Sequence, residues 1–104
     1  MSMEIIYEKL RKCTGYEWDR HNINKNWKKH HVAPVESEQV FFNNQLIVAD
    51  DIKHSKSEIR YYALGKTDRN RKLFISFTIR SLKIRVISSR DMSKKERDNY
   101  ERYI

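Results

Sequence analysis

Residues 60–89 read RYYALGKTDRNRKLFISFTIRSLKIRVISS, and this stretch decides the fold. It contains runs rich in Ile, Val, Phe, Tyr and Leu over 60–66, 73–80 and 83–89, which is a composition typical of β-strands. Only short, turn-like links separate the runs. Because a parallel crossover needs a dozen or more residues, the runs predict antiparallel hairpins.

Helices are predicted upstream of this stretch, over 4–13, 20–30 and 34–42. Asp19 is suited to cap the second helix, because a short acidic side chain can accept from the exposed N–H groups of a first turn. Pro34 fits the first turn of the third helix, where no backbone N–H is needed. The pattern therefore predicts a layer of short helices before the sheet.

Three further segments complete the predicted fold. The apolar run at 46–49 indicates a fourth strand, and 16–19 is predicted as a strand or an extended entry. Ser93 and Glu96 form the S-x-x-E pattern of a capping box, which predicts a C-terminal helix over 94–103. The predicted fold class is α+β, an antiparallel four-stranded sheet with N-terminal helices and a C-terminal helix.

Length and composition restrict the class of protein. The 104 residues suffice for one domain, 1–104, and no apolar run approaches the roughly 20 residues of a membrane span. A lone Cys13 excludes an internal disulfide and agrees with a reducing cytoplasm. The two glycines leave little room for a Gly-rich phosphate loop.

The charge is strongly positive and unevenly distributed. The net charge is +8, and residues 59–104 alone carry 13 Lys and Arg against five acids. A clustered excess of this kind indicates a polyanionic partner such as RNA, whereas a spread excess would only favour solubility. We therefore favour nucleic-acid binding over a purely solubilising role.

Short motifs occur in a characteristic order along the chain. They are YEWD at 16–19, NWKKH at 26–30, VFF at 40–42, DIKHSKSEIR at 51–60, GKT at 65–67, FT at 77–78, RVISSR at 85–90 and ER at 96–97 followed by Tyr100. In this order and at these spacings they resemble the BrnT toxins, which pair with BrnA antitoxins in bacterial type II toxin–antitoxin modules. Residues 1–15 extend beyond the resemblance as a predicted helical extension.

The resemblance implies a RelE-like fold and a metal-independent endoribonuclease that inhibits translation in the cytoplasm without a cofactor. It also implies a BrnA-type antitoxin, with operator DNA bound only through the antitoxin complex. Two positions depart from the family pattern: His31 replaces a helix-ending glycine, and Lys66 replaces a frequent arginine. They keep open an alternative, a non-catalytic RNA- or partner-binding module with the toxin fold.

Arg85 and Arg90 are the first catalytic candidates, because a guanidinium can bind two phosphate oxygens at once. They are equally well explained as solvated strand residues or as partners of an acidic antitoxin. Their separation is odd, so a regular strand would place them on opposite faces. Only a bulge, or an early end of the strand, would bring both to one site.

Arg60 and His54 complete the predicted catalytic set. His54 is the one histidine outside 21–31, and histidine is the side-chain type most often used for acid–base catalysis. Glu58, four residues on, is a candidate to orient its ring. The alternative is that His54 only caps a loop.

RNA-binding candidates are predicted on one strand and one helix. Tyr62 and Lys66 share strand parity with Arg60, and Lys28 and Lys29 belong, with Lys25, to the solvated face of the second helix. A merely solvated surface is the competing interpretation for all of them.

Other side chains are assigned to structure. Trp27 is predicted in the core, and Tyr100 and Tyr103 are predicted to dock the last helix on the sheet, with base stacking as the alternative. No metal site is predicted, because the adjacent Asp50 and Asp51 would point to opposite faces of a strand.

Overall fold

The computed structural model describes residues 2–104. Within that range it contains α1 Met3–Arg11, β1 Gly15–Glu17, α2 Arg20–His30, α3 Pro34–Phe42, β2 Ile47–Asp50, a 3-10 turn Ile52–His54, β3 Tyr61–Lys66, β4 Lys72–Arg80, β5 Lys83–Asp91 and α4 Lys94–Tyr103. The predicted helices and the strands of the 60–89 stretch are confirmed, with shifts of a residue or two at their ends.

The sheet has five strands in the order β1-β5-β4-β3-β2. Strands β2 to β5 form the predicted antiparallel meander, but β1 adds a parallel edge, with Gly15 opposite Lys83 and Glu17 opposite Arg85. The prediction of a purely antiparallel four-stranded sheet is therefore wrong. A three-residue strand whose partner lies 68 residues away leaves no periodic signal in the sequence.

Helices cover the two faces of the sheet unequally. The main core lies under α1, α2 and α3, and its buried side chains include Ile6, Val32, Val40, Ile75, Phe77 and Val86. On the other face, α4 covers only one end, where buried Tyr100 packs with Leu64 and Met92. The rest of that second face is available to a ligand.

A β-bulge changes the alternation along β5. Ser76 pairs with Ser88 and Phe77 with Val86, so Ile87 is the extra residue. Buried Val86 and buried Ser89 consequently both face the helices, although three positions separate them. The bulge puts Arg85 and Arg90 on the same, opposite face, as the sequence analysis required for a shared site.

The N-terminal extension is an integral part of the core. Its Ile6 is fully buried, and the Tyr7 hydroxyl donates to the carbonyl of Leu46 at the start of the sheet. Among the described residues, no helix is long and apolar enough to cross a bilayer.

Two predicted packing roles are wrong. The Trp27 side chain is 53% exposed, and Tyr103 is 77% exposed at the end of α4. Of the two tyrosines, only Tyr100 docks α4, with its hydroxyl donating to the Gln45 carbonyl at 2.6 Å. The sequence pattern overestimated burial because both helices pack through a narrow stripe.

His31 ends α2 in a left-handed conformation, with φ 54° and ψ 40°. Its N–H donates to the carbonyl of Trp27 at 2.9 Å, which closes the last turn. A residue with a Cβ is strained in this region by about 1 kcal/mol, whereas glycine is not. The family's glycine thus has a direct physical reason, and this chain replaces it with a strained residue.

We expect His31→Gly to raise the free energy of unfolding by about 0.5–1 kcal/mol, because relief of strain outweighs the added freedom of the unfolded chain. Urea denaturation measures the change. His31→Ala is the matched control, since it removes the imidazole and keeps the strain. Equal stability of the two variants would contradict this explanation.

Candidate nucleic-acid interface

The uncovered part of the second sheet face, which we call the open face, carries Arg60, Tyr62, Arg85 and Arg90. Arg60 immediately precedes β3, and strand alternation places it with Tyr62, opposite buried Tyr61. Arg85 and Arg90 join them through the bulge in β5. Strand parity therefore places all four residues on the open face. They do not form a single site, because Arg85 and Arg90 lie near opposite ends of β5.

Three cations gather where α2 passes the bulge. The Lys25 ammonium donates to the carbonyl of Ile87, the bulged residue, at 2.9 Å. Partial burial lowers the pKa of Lys25, and the charges of Lys29 and Arg60 lower it further. We call Lys25, Lys29 and Arg60 the cation cluster. Within residues 2–104, none of its members forms an ion pair with a carboxylate.

An oriented histidine stands beside Arg60. His54 Nδ1 lies 2.9 Å from Asp51 Oδ2, so a proton on Nδ1 would leave Nε2 free to accept another. His54 and Arg60 line one depression of about 270 Å³. The proposed orienting role of Glu58 is wrong, because Glu58 pairs with Arg80 at 2.9 Å and Asp51 holds the ring.

Arg85 is engaged by two carboxylates. Its guanidinium lies 2.7 Å from Glu17 and 3.4 Å from Asp19, and its side chain is 23% exposed. Asp19 caps α2 through the N–H groups of His21 and Asn22, which, with Arg85, lower the pKa of its carboxyl. Arg85 therefore fixes the start of the helix that carries Lys25 and Lys29.

Arg90 is engaged in a different way. It makes two hydrogen bonds to Glu96, at 2.8 and 3.0 Å, and its guanidinium lies 4.3 Å from the Phe74 ring centroid. The hydrogen bonds from Arg90 hold the pKa of Glu96 below its usual value. Since Glu96 belongs to the capping box of α4, Arg90 clamps that helix to the sheet.

The predicted RNA-binding residues are divided between places. The Tyr62 ring stacks on Phe74, with centroids 5.4 Å apart and an interplanar angle of 16°. Lys29 joins the cation cluster, whereas Lys66 lies at the far end of β3, roughly 20 Å from Arg60 by strand geometry. Lys28 is exposed on α2.

Two important cations were missed or misjudged from the sequence. Lys25 was expected on the solvated face of α2, yet it packs against β5. Arg71, which no motif marks, links separate elements. Its guanidinium donates to the carbonyls of His30 and His31, to Glu36 and to Asp91. No local sequence signal identifies either residue, because their partners are distant in the chain. Asp91 lies 20 positions from Arg71, and every other partner lies 35 or more positions away.

The Asp91–Arg71 pair predicts a pH dependence. The Arg71 hydrogen bond lowers the pKa of Asp91 in the folded state. A carboxyl with a lowered folded pKa contributes stability that is complete above its unfolded pKa, about 4, and is lost as the pH falls through the folded value. We expect Tm to fall between about pH 5 and pH 3, and less steeply in Asp91→Asn.

Calorimetry across that pH range tests this expectation. Asp98→Asn, at an exposed position on α4, is the matched control and should keep the wild-type slope. An unchanged slope in Asp91→Asn would show that the Asp91–Arg71 pair does not contribute to the pH dependence.

Among the described residues, no three His, Cys, Asp or Glu side chains come together in a group that could hold a metal ion.

The fold has a solved counterpart. It is similar to the crystal structure of the Brucella abortus ribonuclease toxin BrnT, with a TM-score of 0.58 and 20% identity, over 77% of this chain and 97% of that chain. At this identity the likeness defines the architecture, a small α+β fold shared with a ribonuclease toxin. A comparison with curated proteins gives no significant match.

A family model then identifies the chain. The model of the ribonuclease toxin BrnT, of type II toxin–antitoxin systems, matches residues 18–96. The chain therefore belongs to the BrnT toxin family. All of α1, Met3–Arg11, lies outside the matched range.

Proposed function

We propose that this BrnT-family chain is a metal-independent endoribonuclease, whose RNA cleavage inhibits translation. The observation that carries the proposal is the position of Arg60, which belongs to the cation cluster and lines one depression with His54, the partner of Asp51. Within residues 2–104 no member of the cluster forms an ion pair with a carboxylate. Such a surface attracts the RNA backbone and offers an imidazole nitrogen that can accept a proton.

The reaction needs no group outside the chain and its substrate. The 2′-hydroxyl loses its proton to His54 Nε2 and attacks the adjacent phosphorus. The bond from phosphorus to the 5′-oxygen then breaks and leaves a 2′,3′-cyclic phosphate. Arg60 and Lys29 stabilise the charge on the non-bridging oxygens. Lys25, whose ammonium lies at the bulge 2.9 Å from the Ile87 carbonyl, protonates the leaving 5′-oxygen.

We assign Arg85 and Arg90 to positioning rather than to contact with the cleaved phosphate. This revises the sequence-based expectation that they are catalytic. The ion pairs to Glu17 and Glu96 support the revision, because a phosphate would have to displace a carboxylate already in place.

The partner we propose is a BrnA-type antitoxin that covers the basic strands, with operator DNA bound only through the complex and all of it in the cytoplasm. We expect hydrogen exchange of the amides in 59–90 to slow when the antitoxin is bound. Unchanged exchange there, with slower exchange elsewhere, would place the antitoxin on another surface.

The function is tested with the purified chain, freed of antitoxin, on a long RNA in EDTA and in a cell-free translation reaction. We expect cleavage in EDTA, loss of translation, and recovery of both when antitoxin is added. Binding of RNA with no cleavage in either reaction would instead support the non-catalytic module, which the occupied Arg85 and Arg90 favour.

A further inference from the structure

A groove adjoins the open face between α4 and the β2–β3 hairpin, with a volume of about 490 Å³. Ile47 and Leu64 form an apolar floor, and Tyr62 and Tyr103 provide aromatic walls. Asn99 and Arg102, from α4, add an amide and a guanidinium at the rim. Nothing in the reaction described above uses this groove.

The chemistry of the lining suits a planar, polar-edged ligand. Stacking of Tyr62 on Phe74 fixes one aromatic wall, while Tyr103 is left exposed. The Asn99 and Arg102 side chains make no hydrogen bond or ion pair within residues 2–104 that would occupy their donors. Apolar floor, aromatic walls and free amide and guanidinium groups together match the faces and edges of a nucleobase.

The position of the groove connects it to the phosphate site. Tyr62 follows Arg60 by two residues on the same face of one strand, which is a separation of roughly 7 Å. An RNA strand with a phosphate at Arg60 therefore brings a neighbouring base to Tyr62. The positive charge of Arg102 at the groove favours a negatively charged ligand such as RNA over an apolar peptide without acidic residues.

We propose that this groove is a base-binding subsite for an unpaired nucleotide next to the cleaved phosphate, with Tyr62 and Tyr103 as its stacking residues. The inference rests on the proposed function and adds a source of sequence preference to it. It requires single-stranded RNA, because a paired base cannot enter between two side chains.

The test uses 2′-O-methyl hexanucleotides of A, U, C or G, which lack the nucleophile and cannot be cut. Their binding is measured by fluorescence anisotropy at several salt concentrations. Tyr103→Leu and Tyr62→Leu remove the rings, Tyr62→Phe keeps one, and Phe42→Leu is the matched control at an exposed site on α3. Circular dichroism establishes that each variant is folded.

We expect each tyrosine-to-leucine change to weaken binding by about tenfold at every salt concentration and to flatten the preference among bases. Tyr62→Phe and Phe42→Leu should bind as the wild type does. Arg60→Ala should instead lower the salt dependence by about one counterion. This difference separates the base subsite from the phosphate site.

Binding of the leucine variants within twofold of the wild type, with Arg60→Ala still impaired, overturns the subsite and leaves the proposed function in place. If the leucine variants bind RNA as the wild type does but bind the antitoxin more weakly, the base-binding subsite is also overturned and the groove is a protein interface. A wild-type chain that neither binds nor cleaves RNA overturns the subsite together with the proposed function.

Discussion

Arg60→Ala is expected to slow RNA cleavage by about 10²- to 10³-fold, because it removes a fixed positive charge from the phosphate at the moment its negative charge increases. Arg60 is the member of the cation cluster that also lines the His54 depression. Single-turnover cleavage in EDTA, with enzyme in excess over RNA, measures the chemical step. Circular dichroism shows whether the variant keeps its fold.

Two controls distinguish a local role from a change in net charge. Arg69→Ala removes an exposed arginine in the turn before β4 and should cleave at the wild-type rate. Arg60→Lys keeps the charge but not the planar fork, and an intermediate rate is expected. Equal rates for Arg60→Ala and Arg69→Ala would remove Arg60 from the site.

Arg71→Ala is expected to lower the free energy of unfolding by about 2–4 kcal/mol. The substitution removes the one guanidinium that binds two carboxylates and two carbonyls at the end of α2, and leaves these four acceptors without that donor. The contacts to Asp91 at 2.7 Å, Glu36 at 3.1 Å and the His31 carbonyl at 2.8 Å tie α2, α3 and β5 together. The Arg71 and Glu36 side chains are each 27% exposed, so water replaces their contact poorly, whereas Asp91 is 62% exposed and contributes less.

Urea denaturation and calorimetry measure this loss, and a fall in Tm of about 10 °C or more corresponds to it. Arg71→Lys should recover only part of the stability, since an ammonium cannot reach all four partners at once. A loss below about 0.5 kcal/mol, the same as in Arg69→Ala, would mean that the contacts contribute little.

The parts of the fold that were predictable are those with local signals. Alternating apolar residues marked β3 to β5, and the Asp19 cap and the Ser93–Glu96 box marked helix starts, all as found. The parallel pairing of β1 with β5 was not predictable, because its partners are distant and the strand has three residues. Nor did composition locate the bulge, although parity showed that Arg85 and Arg90 could share a face only through a bulge or an early end of the strand.

The sequence predicted which types of residue the candidate site contains, but not which role each residue has there. The sequence indicated arginines, a histidine and lysines, and it ranked Arg85 and Arg90 first. It contained no sign that Glu17, Asp19 and Glu96 would pair with them, since two of those partners come from strands and loops remote in sequence. Lys25 looked solvated for the same reason, because its acceptor lies 62 positions away.

The most direct test of the central claim is the chemistry of the cut itself. The wild-type chain is incubated in EDTA with an RNA cleaved at a known position and with the same RNA carrying a 2′-O-methyl group there. We predict cleavage of the first to a 2′,3′-cyclic phosphate, no cleavage of the second, and a greatly reduced rate for Arg60→Ala on the first. Equal cleavage of both RNAs, or cleavage that EDTA abolishes, would contradict the account.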